Sequence, residues 1–398
     1  MRSTSPITNN KFKAAALALA LFATTFTACK KSADEDFAPQ ESVNQSESVV
    51  SAGDLGETAE KGSYHLKNYT LKGVFDFPIG AAVVKERLEE PLYASTLKKD
   101  FNRLSSESNF KFKSTHPEKD KYTFGKADAI VKFAQENKMV VHGHCLIWAK
   151  DDTMPKWLLN YNGNAADFDK LLKEHITTVV SHFKGQVTSW DVVNEAIADN
   201  GTFKDNIWLR KLGEEYFFKA FKYAQQADPK VKLFYNDYGQ EFGGKKMRKI
   251  MELVATAKQR GIKIDGMGFQ MHTVLRIDVN KINTNLKVAA DAGLLVHISE
   301  IDISVKYQMP KTFDLTDAMA REQGAKFKAI VKGYMENVPK KQQWGITTWG
   351  VGDRDSFFNK GYAKFNHDHP LLFGKDYKAK WAYRGFIEAG LNRYPGSF

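Results

Sequence analysis

"VTSWDVVNE", Val187 to Glu195, is the stretch on which the fold turns. It is a run of β-branched and apolar residues, so it reads as a buried strand, yet it ends in an amide and a carboxylate. An ion has no place inside such a run unless it is paired, whereas the end of a strand can face a cavity. Seven other runs share the pattern: "FPIGAAV", "FNRLSS", "MVVHGHCLIW", "KLFYNDY", "IDGMGFQMH", "LLVHISEIDI" and "WGITTWGV". Between them lie longer stretches with apolar residues at three- and four-residue spacing, among them "FGKADAIVKFAQENK", "FDKLLKEHITTVVSHFKG" and "LRKLGEEYFFKAFKYAQQAD". Strand-like runs alternating with helical ones are the mark of repeated βα units. Eight of them predict an α/β fold of the (β/α)8 TIM-barrel type, whose reactive residues stand at the carboxyl ends of the strands. A doubly wound sheet is the alternative, but "GAA" in the first run is no glycine-rich phosphate loop.

The polar residues fall where a barrel would use them: His142 and His144 in the third run, Asn194 and Glu195 in the fourth, Asn236 and Asp237 in the fifth. Gln270 and His272 close the sixth, Glu300 and Asp302 lie in the seventh, and Trp349 in the eighth. Glu195 and Glu300, three strands apart, suggest a pair across the barrel mouth. The alternation in "ISEIDI" predicts Glu300 and Asp302 on one side, with Ser299 and Ile301 on the other.

With these residues assembled, the chain from about Phe77 to Arg384 resembles glycoside hydrolase family 10, the endo-β-1,4-xylanases. The resemblance rests on "HCLIW", "WDVVNEA", "NDY", "DGMGFQMH", "SEIDI", "TTWGVGDRDS" and "PLLF", in that order. It implies a retaining double displacement in which Glu195 is the general acid/base and Glu300 the nucleophile, with carboxyls about 5 to 5.5 Å apart. Two unit charges at about 5.5 Å and an effective dielectric near 20 repel by roughly 3 kcal/mol, about two pK units, so one glutamate keeps its proton near neutral pH. By the same resemblance Asn194 contacts the sugar 2-hydroxyl, His272 with Asp302 keeps Glu300 ionised and oriented, and Asn236 supports the site. Lys111, His144, Trp148, Gln270 and Trp349 would line the glycone side, with Glu107 reaching the more distant sugar. No cofactor and no metal is implied. Four departures from the family pattern, Ser108, Ala149, Phe357 and Gly374, predict an altered distal glycone subsite. Action on β-glucan, aryl xylosides or substituted xylo-oligosaccharides is the competing substrate reading, and a non-catalytic xylan-binding barrel the competing class.

The formal charge of +11 admits acidic polymers as partners, but no run of Lys and Arg exceeds two, so no nucleic-acid interface is expected. At the amino end Arg2, Lys11 and Lys13 precede "AAALALALFATTFTA" and Cys29. The apolar stretch is too short to span a bilayer comfortably and has the layout of an export signal. "FTAC" resembles the lipobox of bacterial lipoproteins, which implies lipid attachment at Cys29 and an outer-membrane lipoprotein facing the cell surface or the periplasm. The expected organisation is a signal over residues 1–28, a flexible polar tether over 29–65 and a catalytic barrel over 66–398. Cys145 is then the remaining thiol and a small core residue. Nothing in the sequence points to an assembly larger than a monomer.

Overall fold

In a computed structural model, which describes residues 69–306, 314–359 and 367–391, nine parallel strands are present among the described residues. They are β1 (Ile79–Val83), β2 (Arg103–Ser106), β3 (Val140–Trp148), β4 (Ser189–Asn194), β5 (Lys232–Asp237), β6 (Gly266–Phe269), β7 (His272–Val274), β8 (Leu295–Ser304) and β9 (Gln343–Thr348). Each strand from β1 to β5 pairs with the next. Then β6 pairs with β8 (Phe269 opposite Ile298), β8 with β9, and β9 with β1 (Ile346 opposite Ile79), which closes an eight-stranded ring. Short β7 pairs with the far end of β8, His272 opposite Asp302, and lies outside the ring.

Eight longer helices separate these strands: α1 (Pro91–Asp100), α2 (Gly125–Glu136), α3 (Ala165–His182), α4 (Glu215–Ala227), α5 (Gly244–Gln259), α6 (Val279–Asp291), α7 (Asp317–Asn337) and α8 (Trp381–Leu391). Their starts are set by local chemistry. Asn164 accepts from the Ala166 and Asp167 amides while Asp167 reaches back to the Asn164 amide, a capping box at α3. Asp278 and Thr316 cap α6 and α7. Each helix buries one apolar stripe on the ring, so the strands are covered outside and filled inside; every residue of β1, β2 and β4 is buried. This is the (β/α)8 barrel the sequence predicts.

Core packing explains several residue choices. A Cβ on Gly143 would lie 2.2 Å from Trp190 Cε3, so only glycine lets the buried Trp190 ring sit against β3. Trp190 meets Phe110 edge-on at 5.5 Å and is a core residue rather than a sugar platform. Cys145 is a free, buried thiol. The two ends of the barrel chain also meet: Tyr383 of α8 donates to the Tyr69 carbonyl and to Asp100, and Phe386 packs edge-on against Phe75.

Three local expectations give way. The sixth run breaks at Gln270–Met271, where Met271 adopts φ 61°, and yields β6 and β7 rather than one strand. "LRKLGEEYFFKAFKYAQQAD" breaks at Gly213 (φ 64°), leaving a short helix over Ile207–Leu212 ahead of α4. In β8 the register shifts between Ile298 and Ile301, so strict alternation fails: Ser299 and Glu300 both reach the side chain of Asn236. The expected signal, tether and lipid-bearing Cys29 lie outside the described residues. Among the described residues no helix is long and apolar enough to cross a membrane.

Candidate active site

Because all ring strands run in one direction, their carboxyl ends share one rim, and the residues singled out in the sequence gather there. Glu300, in β8, is buried. Its Oε1 accepts from Asn236 Nδ2 at 2.8 Å and its Oε2 lies 3.1 Å from His272 Nε2. His272 Nδ1 is 2.7 Å from Asp302 Oδ2, so the imidazole bridges the two carboxylates of β8. Burial works against a charged ring, yet the flanking Asp302 and Glu300 carboxylates raise His272 well above the ordinary histidine range. The imidazolium then donates through both nitrogens. Glu300 feels the converse: burial alone would raise it, but the His272 hydrogen bond and the nearby His144, His272 and Lys111 charges hold it below the ordinary glutamate value.

Glu195 follows β4 directly, at the half-open rim, with φ 57°. A non-glycine residue in the left-handed region costs of order 1 kcal/mol or more, and such residues cluster at functional sites. The conformation is held by the Glu195 amide, which donates to the Asn236 carbonyl at 2.9 Å. Glu195 Oε1 accepts from Gln270 Nε2 at 3.1 Å and from Asn194 Nδ2 at 3.3 Å. Asn194 Oδ1 in turn accepts from Asn236 Nδ2 at 2.9 Å and from Gln270 at 3.3 Å. Three amide side chains on β4, β5 and the end of β6 thus join the two carboxylates into one hydrogen-bonded chain. Asn236 is its pivot, since Ser299 Oγ donates to its Oδ1 at 2.6 Å and fixes which way the amide points.

Around this chain stand the remaining expected residues. His144 Nδ1 is 2.9 Å from Asp191 Oδ2 and 3.9 Å from Glu300 Oε1, and its ring meets Trp349 edge-on at 5.2 Å. Lys111 Nζ lies 4.2 Å from the Trp148 ring centroid and 5.9 Å from that of Trp349, which groups the three on one wall. Trp148 is half-buried, as a ring that offers one face to a ligand would be. Glu107 lies just beyond β2, further round the rim, with its amide on the Val83 carbonyl. Of the four departures, Ser108 is exposed and Ala149 buried beside Trp148; Phe357 stacks on Phe358 at 4.2 Å and meets His272 edge-on at 5.2 Å. Gly374 closes a turn by donating to the Lys378 carbonyl.

Two contributors were missed in the sequence. Asp191 is buried between His142 Nε2 (3.0 Å) and His144 Nδ1 (2.9 Å). Burial opposes its ionisation, but the His142 and His144 contacts bring it down to about 2. A usable signal existed: a charge in mid-strand must be paired, and two histidines stand on the neighbouring strand. Ser299 gave none, because alternation points it away from the site.

Two carboxylates on the rim of a (β/α)8 barrel, one buried and held ionised, the other half-open, joined by amides and flanked by tryptophans, define a sugar-cleaving hydrolase. The chain belongs to glycosyl hydrolase family 10, whose family model matches residues 67–389. It is similar to endo-beta-1,4-xylanase Xyn10C of Cellvibrio japonicus, 38% identical over 339 residues, covering 79% of this chain and 56% of that protein. It is also similar to endo-1,4-beta-xylanase B of Thermotoga neapolitana, 35% identical over 298 residues, covering 73% and 81%. Among solved structures, a mutant of Cellvibrio japonicus xylanase10C in complex with xylopentaose matches with a TM-score of 0.78 at 34% identity, covering 83% of this chain and 70% of that one. The chain thus spans just over half the length of the first of these relatives and most of the second.

Proposed function

We propose that the protein is a retaining endo-β-1,4-xylanase in which Glu300 is the nucleophile and Glu195 the acid/base. The observation that carries this reading is the unequal setting of the two carboxylates on one hydrogen-bonded chain. Glu300 is buried and charge-paired with His272, whereas Glu195 stays partly exposed at the rim, with its Oε2 outside the amide chain. In the first step Glu300 bonds to the anomeric carbon while the glycosidic C–O bond breaks and the Glu195 proton goes to the departing oxygen. In the second, water loses a proton to Glu195, its oxygen joins the anomeric carbon, and the ester bond to Glu300 breaks. Asn194 bonds the sugar 2-hydroxyl, and the wall of Lys111, His144, Trp148 and Trp349 receives the glycone, with Gln270 and Glu107 nearby.

The test is the configuration of the first product. Xylohexaose hydrolysis followed by proton NMR yields the β-anomer before mutarotation, and early accumulation of the α-anomer would refute retention. Xylan is expected to release reducing ends far faster than carboxymethylcellulose, because a 6-hydroxymethyl group has to be accommodated in the latter. Equal rates would move the protein to the β-glucan reading.

The same proposal includes export and lipid attachment at Cys29, with residues 1–28 as signal and 29–65 as tether to a barrel that begins at residue 66. Its support is the charged, apolar and small-residue order of the amino end. Cys29→Ser is expected to shift the protein from the membrane fraction to the soluble one, and continued retention on membranes would refute the anchor.

A further inference from the structure

Directly after β4 the chain turns back on itself. Ile197 pairs antiparallel with Phe203, the Ala198 amide donates to the Thr202 carbonyl, and the Lys204 amide donates to the Ala196 carbonyl, each of these two bonds at 2.8 Å. The hairpin returns Lys204 to the carboxylate from which it departed: Nζ stands 3.8 Å from Glu195 Oε2, with the two side chains 23% and 15% exposed. Tyr238 holds the ammonium in place, accepting from Nζ at its hydroxyl (3.2 Å) with the ring centroid 4.4 Å away.

This makes the two oxygens of Glu195 unlike. Oε1 already accepts from Gln270 and Asn194, so a proton on that oxygen would compete with two N–H donors. The acid proton therefore belongs on Oε2, the oxygen beside Lys204. Other charges around Glu195 have their own partners. Lys246 is 2.9 Å from Asp237 and 3.6 Å from Asp199, His272 is shared by Glu300 and Asp302, and His144 lies on Asp191. Lys111 lies over Trp148, the Cys145 thiol is pushed up by burial and neutral, and Glu300 supplies the repulsion across the mouth.

We propose that Lys204 is a positioning residue for the proton transfer, its ammonium easing departure of the proton from Glu195 Oε2 and weakening the same carboxylate as a base. This rests on the reading of Glu195 as acid/base. As the glycosidic C–O bond breaks, the departing oxygen takes the Oε2 proton and leaves an anion that Lys204 pairs. In the second step that anion takes a proton back from water, against the pull of the ammonium. Lys204 thus favours the acid half of the cycle over the base half.

The experiment compares pH profiles of kcat/KM for wild type, Lys204→Met, Lys204→Gln and Lys204→Arg on xylohexaose and on 2,4-dinitrophenyl xylobioside. A cation favours the ionised form of a neighbouring acid, so its loss moves the basic limb on xylohexaose upward, by about half a pH unit for a pair that keeps some contact with solvent. The weaker acid also lowers the plateau roughly twofold. The arginine variant keeps the wild-type limb, and the dinitrophenyl substrate, whose departure needs no proton, keeps its plateau in every variant. A basic limb on xylohexaose that stays in place at low ionic strength in both neutral variants overturns the inference. A wild-type limb equally strong on the dinitrophenyl substrate would assign that limb to another group, and would remove the acid/base reading of Glu195 along with the role of Lys204.

Discussion

Glu300→Ala is expected to lower kcat on xylohexaose by about 10⁵-fold or more, because it removes the atom that forms the covalent intermediate. The deletion leaves a specific hole. His272 Nε2 and Asn236 Nδ2 remain as donors on the vacated side, with the imidazolium still anchored by Asp302. Two donors and a positive charge around a carboxylate-sized gap suit a small anion, so azide is expected to enter it, attack the anomeric carbon and restore turnover. Attack from the face that Glu300 occupied inverts the centre, so the product is the α-xylosyl azide. Proton NMR of the product decides the matter. A residual rate within about a hundredfold of wild type, or an azide adduct of β configuration, removes Glu300 as nucleophile.

Glu195→Ala carries the second large effect, and its size depends on the leaving group. General acid catalysis contributes roughly 10² to 10⁴-fold. That whole factor is at stake for a xylose hydroxyl, which departs badly without a proton, and almost none of it for dinitrophenolate. The expected result is a loss of about 10³-fold in kcat/KM on xylohexaose against a near wild-type value on the dinitrophenyl xylobioside. On the activated substrate kcat and KM fall together, because the ester forms normally and then waits for a base. Added azide, needing no base, should speed its breakdown and give the β-azide. Equal losses on both substrates would show that Glu195 is not the acid.

The parts of this site that could be read from sequence are those governed by short-range rules. Strand-like runs ending in polar residues gave the barrel and placed Glu195, Glu300, Asn236 and His272 on one rim, since parallel strands align their ends. What stayed hidden needs three dimensions. The break at Met271, which splits the sixth run, follows from one positive φ angle at a non-glycine residue, for which no residue type gives warning. Ser299 turns inward because β8 slips register against β9 between Ile298 and Ile301, and period-two reasoning fails at such an irregularity. Lys204 sits nine residues beyond Glu195 and reaches it only because a hairpin intervenes. Gly213 shows the same limit on the helical side: apolar spacing continues across it, and the backbone does not.

The pairing of β9 with β1 has a bearing on how the protein comes to exist at all. Thr348 and Gly80, which meet at this seam, are separated by 268 residues along the chain. Loop-closure entropy has to be met before any contact of such high contact order forms, and parallel pairing is intrinsically slow. Until Gln343–Thr348 docks, β1 and β8 present unpaired edges, the kind of template on which partly folded chains stick together. Chains in which β9 has not yet docked are therefore the species expected to stick to one another, and closing this seam is the step that hides both edges.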